Sequence, residues 1–368
     1  MKKVHRRISP LPVTSILLVT FIFARAACSG QAVLHQSLLA LSKEDHTLAI
    51  VDPVTLKVVA RIPVGEDPHE VIASSDGKTA YVSIYGGGSL HELDIIDLVA
   101  QKPLTNLDTR PLFGPHGLTF ANGEAWFTAE GSKSIGRYDP ATGKLDWSMG
   151  TGQDRTHMIY VTANAKRIYT TNVSSGTVSI LVDTVIRQGP PPGGMKAPSG
   201  KRPPQGGGMR PPPGGGSHET WEQTIVPTAR GAEGFDVSPD STELWTASAG
   251  NGNIYIIDLR AKKLVKKIDA KVFGANRLKF TPDGKLVFIS SLQSGDLTIY
   301  DAKTQREIKR LKIGNGAAGI LMEPNGSRAF IGCTADNYVA VVDLKTLTVT
   351  GHIDVGGGPD GLAWAVQQ

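Results

Sequence analysis

The sequence predicts an all-β chain, a seven-bladed β-propeller of four-stranded antiparallel blades whose ring is closed by a C-terminal strand completing the first blade. Three observations lead there. A short apolar line ending in aspartate recurs at Asp52, Asp97, Asp139, Asp183, Asp258, Asp301 and Asp343, at intervals of 45, 42, 44, 75, 43 and 42 residues. Around each aspartate the same order of strands and turns repeats, without helical periodicity, and residues 274–314 spell it out in full. Finally, the chain ends on "PDGLAWAV" (359–366), an innermost strand with no blade of its own.

Residues 1–30 read as a signal peptide. Lys2, Lys3, Arg6 and Arg7 precede an apolar run over 11–23, followed by small residues, and that run is short for a membrane span. Cys28 follows two alanines in a partial lipoprotein box, so a lipid anchor there is the alternative to simple cleavage, although Arg25 stands where that box wants an aliphatic residue. The first 27 residues hold five basic and no acidic residues, so without them the formal net charge falls from +5 to zero. The basic character belongs to the address, and nucleic-acid binding loses its compositional support. Export predicts a periplasmic or cell-envelope location. Cys333, the other cysteine, lies in an apolar run and reads as a small buried hydrophobe.

The propeller is expected over residues 36–368. Each unit starts with an innermost strand, turns through a "PDG"-like sequence into a second strand, reaches the aspartate strand, and leaves by a hairpin to an outer strand. The aspartates suit the caps of those hairpins. The first unit opens at residue 36 without an innermost strand, and the C-terminal strand supplies it, since an open ring would leave unpaired edges. The one long interval holds residues 188–217, an insert of Pro, Gly, Lys, Arg, Met, Gln and Ser within blade four. Such a composition buries too little apolar surface to offset its ordering entropy, so a disordered loop is expected, at a hairpin on the face opposite the entries to the innermost strands.

The lines "AYVSI" (80–84) and "IYTTN" (168–172), with "SPDSTELWTA" and "TPDGKLVFIS" beside them, resemble the YVTN family of β-propeller repeat proteins from residue 36 onward. The resemblance implies the fold and leaves activity open, since that family looks like a mixture of binding and surface-layer proteins.

Aligning the units places one residue of each near the start of an innermost strand, where seven strands meet at the channel: His69, His116, His157, Glu233, Asn276, Ala318 and Asp360. The polar six form the expected ligand-binding ring. His69, His116 and His157 offer the nitrogen donors of a divalent transition-metal site, and an imidazole there also suits general-base chemistry. A polar rim of a wet channel accounts for the same residues without a ligand. Turns carrying Tyr85, Glu130, Asn172 and Asn251 are expected around the mouth. "GNGAAG" (314–319) opens no helix, and C-x-x-C-H, H-E-x-x-H and G-x-S-x-G are absent from the sequence. The reading is an exported, monomeric binding module for a small molecule or a cell-envelope protein. The alternative is a metal-dependent or histidine-assisted enzyme, a lactonase-like hydrolase or an oxidoreductase, at the same mouth.

Overall fold

Runs of apolar residues make the middle strands of this chain, and alternating residues make its rim. Thr47–Asp52 and Tyr338–Asp343 bury four residues in succession, whereas Lys144–Gly150 alternates exposed and half-buried positions. A strand covered on both faces by neighbouring sheets loses water on both sides, and an outermost strand keeps one wet face. In the computed structural model these strands assemble into seven antiparallel sheets, the blades of a β-propeller. Besides Met1, residues 35–187 and 217–368 are described. The expected signal peptide with Cys28, and residues 188–216 of the insert, lie outside the described residues.

The innermost strands are Pro359–Gln367, Pro68–Ala73, Pro115–Ala121, Thr156–Val161, Ala232–Val237, Ala275–Phe280 and Ala317–Met322, for blades one to seven in turn. Blade one runs in the order Pro359–Gln367, His35–Ser42, Thr47–Asp52, Lys57–Pro63, so the two ends of the chain pair within one sheet. The register runs from Gln36 opposite Val366 to Ser42 opposite Pro359. Trp364 then stacks on Phe330 of blade seven, with centroids 6.1 Å apart. Between blades, Trp126, Trp245, Phe288 and Phe330 are almost fully buried, and truncating one such side chain to alanine costs about 3–5 kcal/mol.

The repeated aspartates do cap hairpins. Oδ1 accepts a backbone N–H two or three residues on at Asp52, Asp97, Asp139, Asp258, Asp301 and Asp343. Asp183 is the exception. In blade four the third and outermost strands, Thr177–Arg187 and Ser217–Pro227, pair as far as Arg187 opposite Ser217, so Asp183 lies mid-strand and its carboxylate meets Lys166 instead. The insert therefore departs from and returns to one elongated hairpin. In blade two the outermost strand is broken into Lys102–Pro103 and Leu107–Asp108, as a proline without an N–H would break it.

Candidate functional site

His69, His116, His157, Glu233, Asn276, Ala318 and Asp360 are each the second residue of an innermost strand. Two local devices hold them in a ring. A glycine follows the site residue in blades three, five, seven and one, and a Cβ at Gly117 or Gly319 would lie 2.4 Å from the carbonyl oxygen of His157 or 2.0 Å from that of Asp360. The missing side chain lets neighbouring innermost strands approach. A hydroxyl on the second strand then clamps the next blade: Thr128 Oγ1 donates to the His157 carbonyl at 2.5 Å, Thr171 to that of Glu233 at 2.5 Å, and Ser290 to that of Ala318 at 2.6 Å. Thr128 Oγ1 also accepts from Gly117 N–H at 2.9 Å, which joins the two devices.

The ring divides into two arcs. Blades two to four bring the three imidazoles into a row, with centroids 4.7 Å apart for His69 and His116 and 3.9 Å for His116 and His157. Tyr85 packs edge-on against His69 and His116 at 4.6 and 5.0 Å. His116, His157 and Glu130 are buried, and a ligand atom from each lies within 4.8 Å of the others. The Glu130 carboxylate takes the Tyr85 hydroxyl on one oxygen and His157 Nδ1 on the other, with Arg155 Nε 3.4 Å away. Burial works to raise that carboxyl, but His157, Tyr85 and Arg155 outweigh it and hold it at about 2. An ionised carboxylate only accepts, so His157 Nδ1 carries a proton and donates it to Glu130. Nε2 of His157 and Nδ1 of His116 are buried, and neither has a hydrogen-bond partner among the described residues. Burial, then the neighbouring imidazoles and cations, keep His116 well below its ordinary value and therefore neutral.

His69 differs from its two neighbours. Lys43 Nζ lies 2.8 Å from its Nε2 and the Asp67 carbonyl 3.0 Å from its Nδ1, so both nitrogens are engaged. Burial and then the Lys43 charge lower its pKa. The expected three-histidine donor set is thus not the group that the geometry gathers. Glu130, on a short turn after Glu124–Ala129, stands with His116 and His157 in its place.

The remaining arc is ionic. Asn276 Nδ2 donates to Glu233 at 2.8 Å, and Asn276 Oδ1 accepts from Arg277 at 3.2 Å. The buried Arg277 guanidinium pairs with Glu70 across the channel and lies 3.9 Å from Asp360, which Lys43 approaches at 3.6 Å. Despite full burial, Glu70, Asp360 and Glu233 push the Arg277 pKa up. Glu70 and Arg277 occupy the position that is glycine in four blades, which is the signal in the sequence that marks them. Past this pair the channel opens into a cavity of about 320 Å³ walled by Phe120, Tyr160, Trp364 and Lys279. Two of the turn residues are engaged locally: Asn172 bonds Thr177 and Ser179 inside blade four, and Asn251 bonds Tyr255 and the Asn253 N–H within its own turn.

A family profile described as the Cytochrome D1 heme domain matches residues 216–330. No curated protein matches the chain in sequence. Among solved structures, a proposed 6-phosphogluconolactonase from Bacteroides uniformis is 14% identical with a TM-score of 0.67, over 90% of this chain and 99% of that one. A protein of unknown function from Desulfotomaculum acetoxidans is also 14% identical, with a TM-score of 0.65 over 88% and 98%. Hydrazine synthase of Kuenenia stuttgartiensis is 17% identical, with a TM-score of 0.60 over 80% and 89%. At such identities these likenesses carry one conclusion, that the chain has the β-propeller fold that they share.

Proposed function

We propose that the chain is an exported, YVTN-like β-propeller that acts as a monomeric binding or interaction module through its channel mouth, for a small molecule or a cell-envelope protein. Export rests on the basic start and apolar run of the first 27 residues. The observation that carries the binding reading is the pair of buried, unpartnered ring nitrogens at the mouth, His116 Nδ1 and His157 Nε2. Leaving such groups unpaired is costly, and a ligand that donates a hydrogen bond to those nitrogens, or is coordinated by them, offsets the cost. The test is a thermal-shift screen of lactones, sugar phosphates and metal salts on the mature chain and on a His116→Gln/His157→Gln variant. A compound that raises the melting temperature of the first and not the second supports the reading, and shifts equal in both contradict it.

A second reading, a histidine-assisted or metal-dependent enzyme at the same mouth, is favoured by the Glu130–His157 contact. A carboxylate that holds Nδ1–H leaves Nε2 as the nitrogen that can act as a base, the arrangement that opening a lactone ring asks for. Hydrolysis of 6-phosphogluconolactone, the substrate in the name of one structural neighbour, is the assay that separates the two. The haem in the family profile's description does not fit the arc. The 115 matched residues contain one histidine, His218, so none of the three histidines of the mouth lies in the matched segment.

A further inference from the structure

Resting on the binding reading of the mouth, we infer that His116 and His157 hold a divalent transition-metal ion, His116 through Nδ1 and His157 through Nε2, with Glu130 as the residue that positions His157. The two nitrogens are buried and without a hydrogen-bond partner among the described residues, and they come from adjacent blades whose backbones are locked by the Thr128 clamp. Imidazole nitrogen suits zinc, copper, nickel and iron, and the hydrated hard cations prefer oxygen. Glu130 supplies the support that metal-binding histidines ordinarily have, a carboxylate on the other ring nitrogen that fixes tautomer and ring orientation. Tyr85 and Arg155 fix that carboxylate in turn. His69 stays outside the set, because Lys43 and the Asp67 carbonyl engage both of its nitrogens. Two protein nitrogens leave coordination positions for water or an incoming ligand at the channel mouth, so the ion would be the element that recognises an anionic or carbonyl-bearing group.

The experiment uses the mature full chain without an affinity tag, stripped with a chelator and titrated with cobalt(II), whose visible spectrum reports nitrogen ligation, and then with zinc in competition. One cobalt per chain is expected. Binding should be lost in His116→Gln and in His157→Gln, weakened about 10–100-fold in Glu130→Gln, and unchanged in His69→Ala. Near-ultraviolet circular dichroism identifies any variant that fails to fold, and the other histidine variant then decides. Absence of cobalt binding in the wild type, cobalt binding unchanged in both histidine variants, or equal loss in His69→Ala overturns the assignment. Where cobalt does not bind but a compound of the thermal-shift screen still protects the wild type alone, the metal inference falls and the binding mouth stands. Where neither binds, both fall.

Discussion

The two arcs of the channel mouth are built by the same repeat and end in opposite electrostatic states. In blades five, six and one, charges meet opposite charges: Arg277 pairs with Glu70 of blade two and lies 3.9 Å from Asp360, and Asn276 bridges Glu233 to Arg277, although Asp360 Oδ1 has no hydrogen-bond partner among the described residues. In blades three and four, the imidazoles are buried as well, yet His116 Nδ1 and His157 Nε2 face nothing among the described residues that can bond them. Burial of polar groups is therefore not itself the mark of a site. A charge-paired network stiffens the ring, whereas a pair of ring nitrogens with no charged partner in the same setting is available to a ligand.

The largest way to break this comparison is through the ionic arc. Replacing Arg277 by methionine should cost about 3–5 kcal/mol in urea unfolding, because Glu70 is then left buried without its cation and Asp360 keeps only Lys43. Adding Glu70→Gln should recover part of the loss. A change under about 1 kcal/mol would mean that the network contributes nothing to the ring.

A buried acid elsewhere shows what a carboxylate does without such a cation. Asp94 of blade two has Gly65 N–H on Oδ2 and no partner on Oδ1 among the described residues. Burial, and then Glu92, push it up to about 7. The folded state then holds a proton that the unfolded chain releases near 3.8, so stability falls as pH rises between about 4 and 7 and is lowest above that window. Asp94→Asn should flatten this slope and add about 1–3 kcal/mol at pH 8, read by denaturant unfolding at pH 4 and pH 8. An unchanged slope would place the proton elsewhere.

Smaller effects sharpen the division. Thr128→Val keeps shape but removes the hydroxyl shared by Gly117 and His157, at a cost of about 1 kcal/mol. It should also loosen binding at the mouth, and a loss of stability with binding intact would show that the clamp does not place His157. His116→Gln should change stability by less than about 1 kcal/mol, since no hydrogen bond at Nδ1 is lost. A loss as large as that of the arginine variant would make the histidine arc structural too.

The architecture was legible because seven copies of one pattern corroborate each other, and even the unmatched "PDGLAWAV" pointed to ring closure. The ring of site residues was legible for the same reason, as one position of an aligned repeat. The ionic arc was not, because its partners are distant in sequence: Glu70 and Arg277 are 207 residues apart, and only the fold brings them together. Nor could alignment tell which histidine is free. His69 and His116 hold the same repeat position, and Lys43, from a turn of blade one, decides the difference. Asn172 and Asn251, expected around the mouth from their turns, each satisfy local polar groups, as asparagine often does there, and their partners were not readable from the turn sequences.

The most direct test is a thermal-unfolding series on the wild-type chain, on His116→Gln and on Asp360→Asn, with and without zinc in large excess. The division of the mouth predicts that zinc raises the midpoint of the wild type and of Asp360→Asn by about 5 °C and leaves His116→Gln unmoved. A zinc shift that survives in His116→Gln, or that disappears equally in Asp360→Asn, would contradict it.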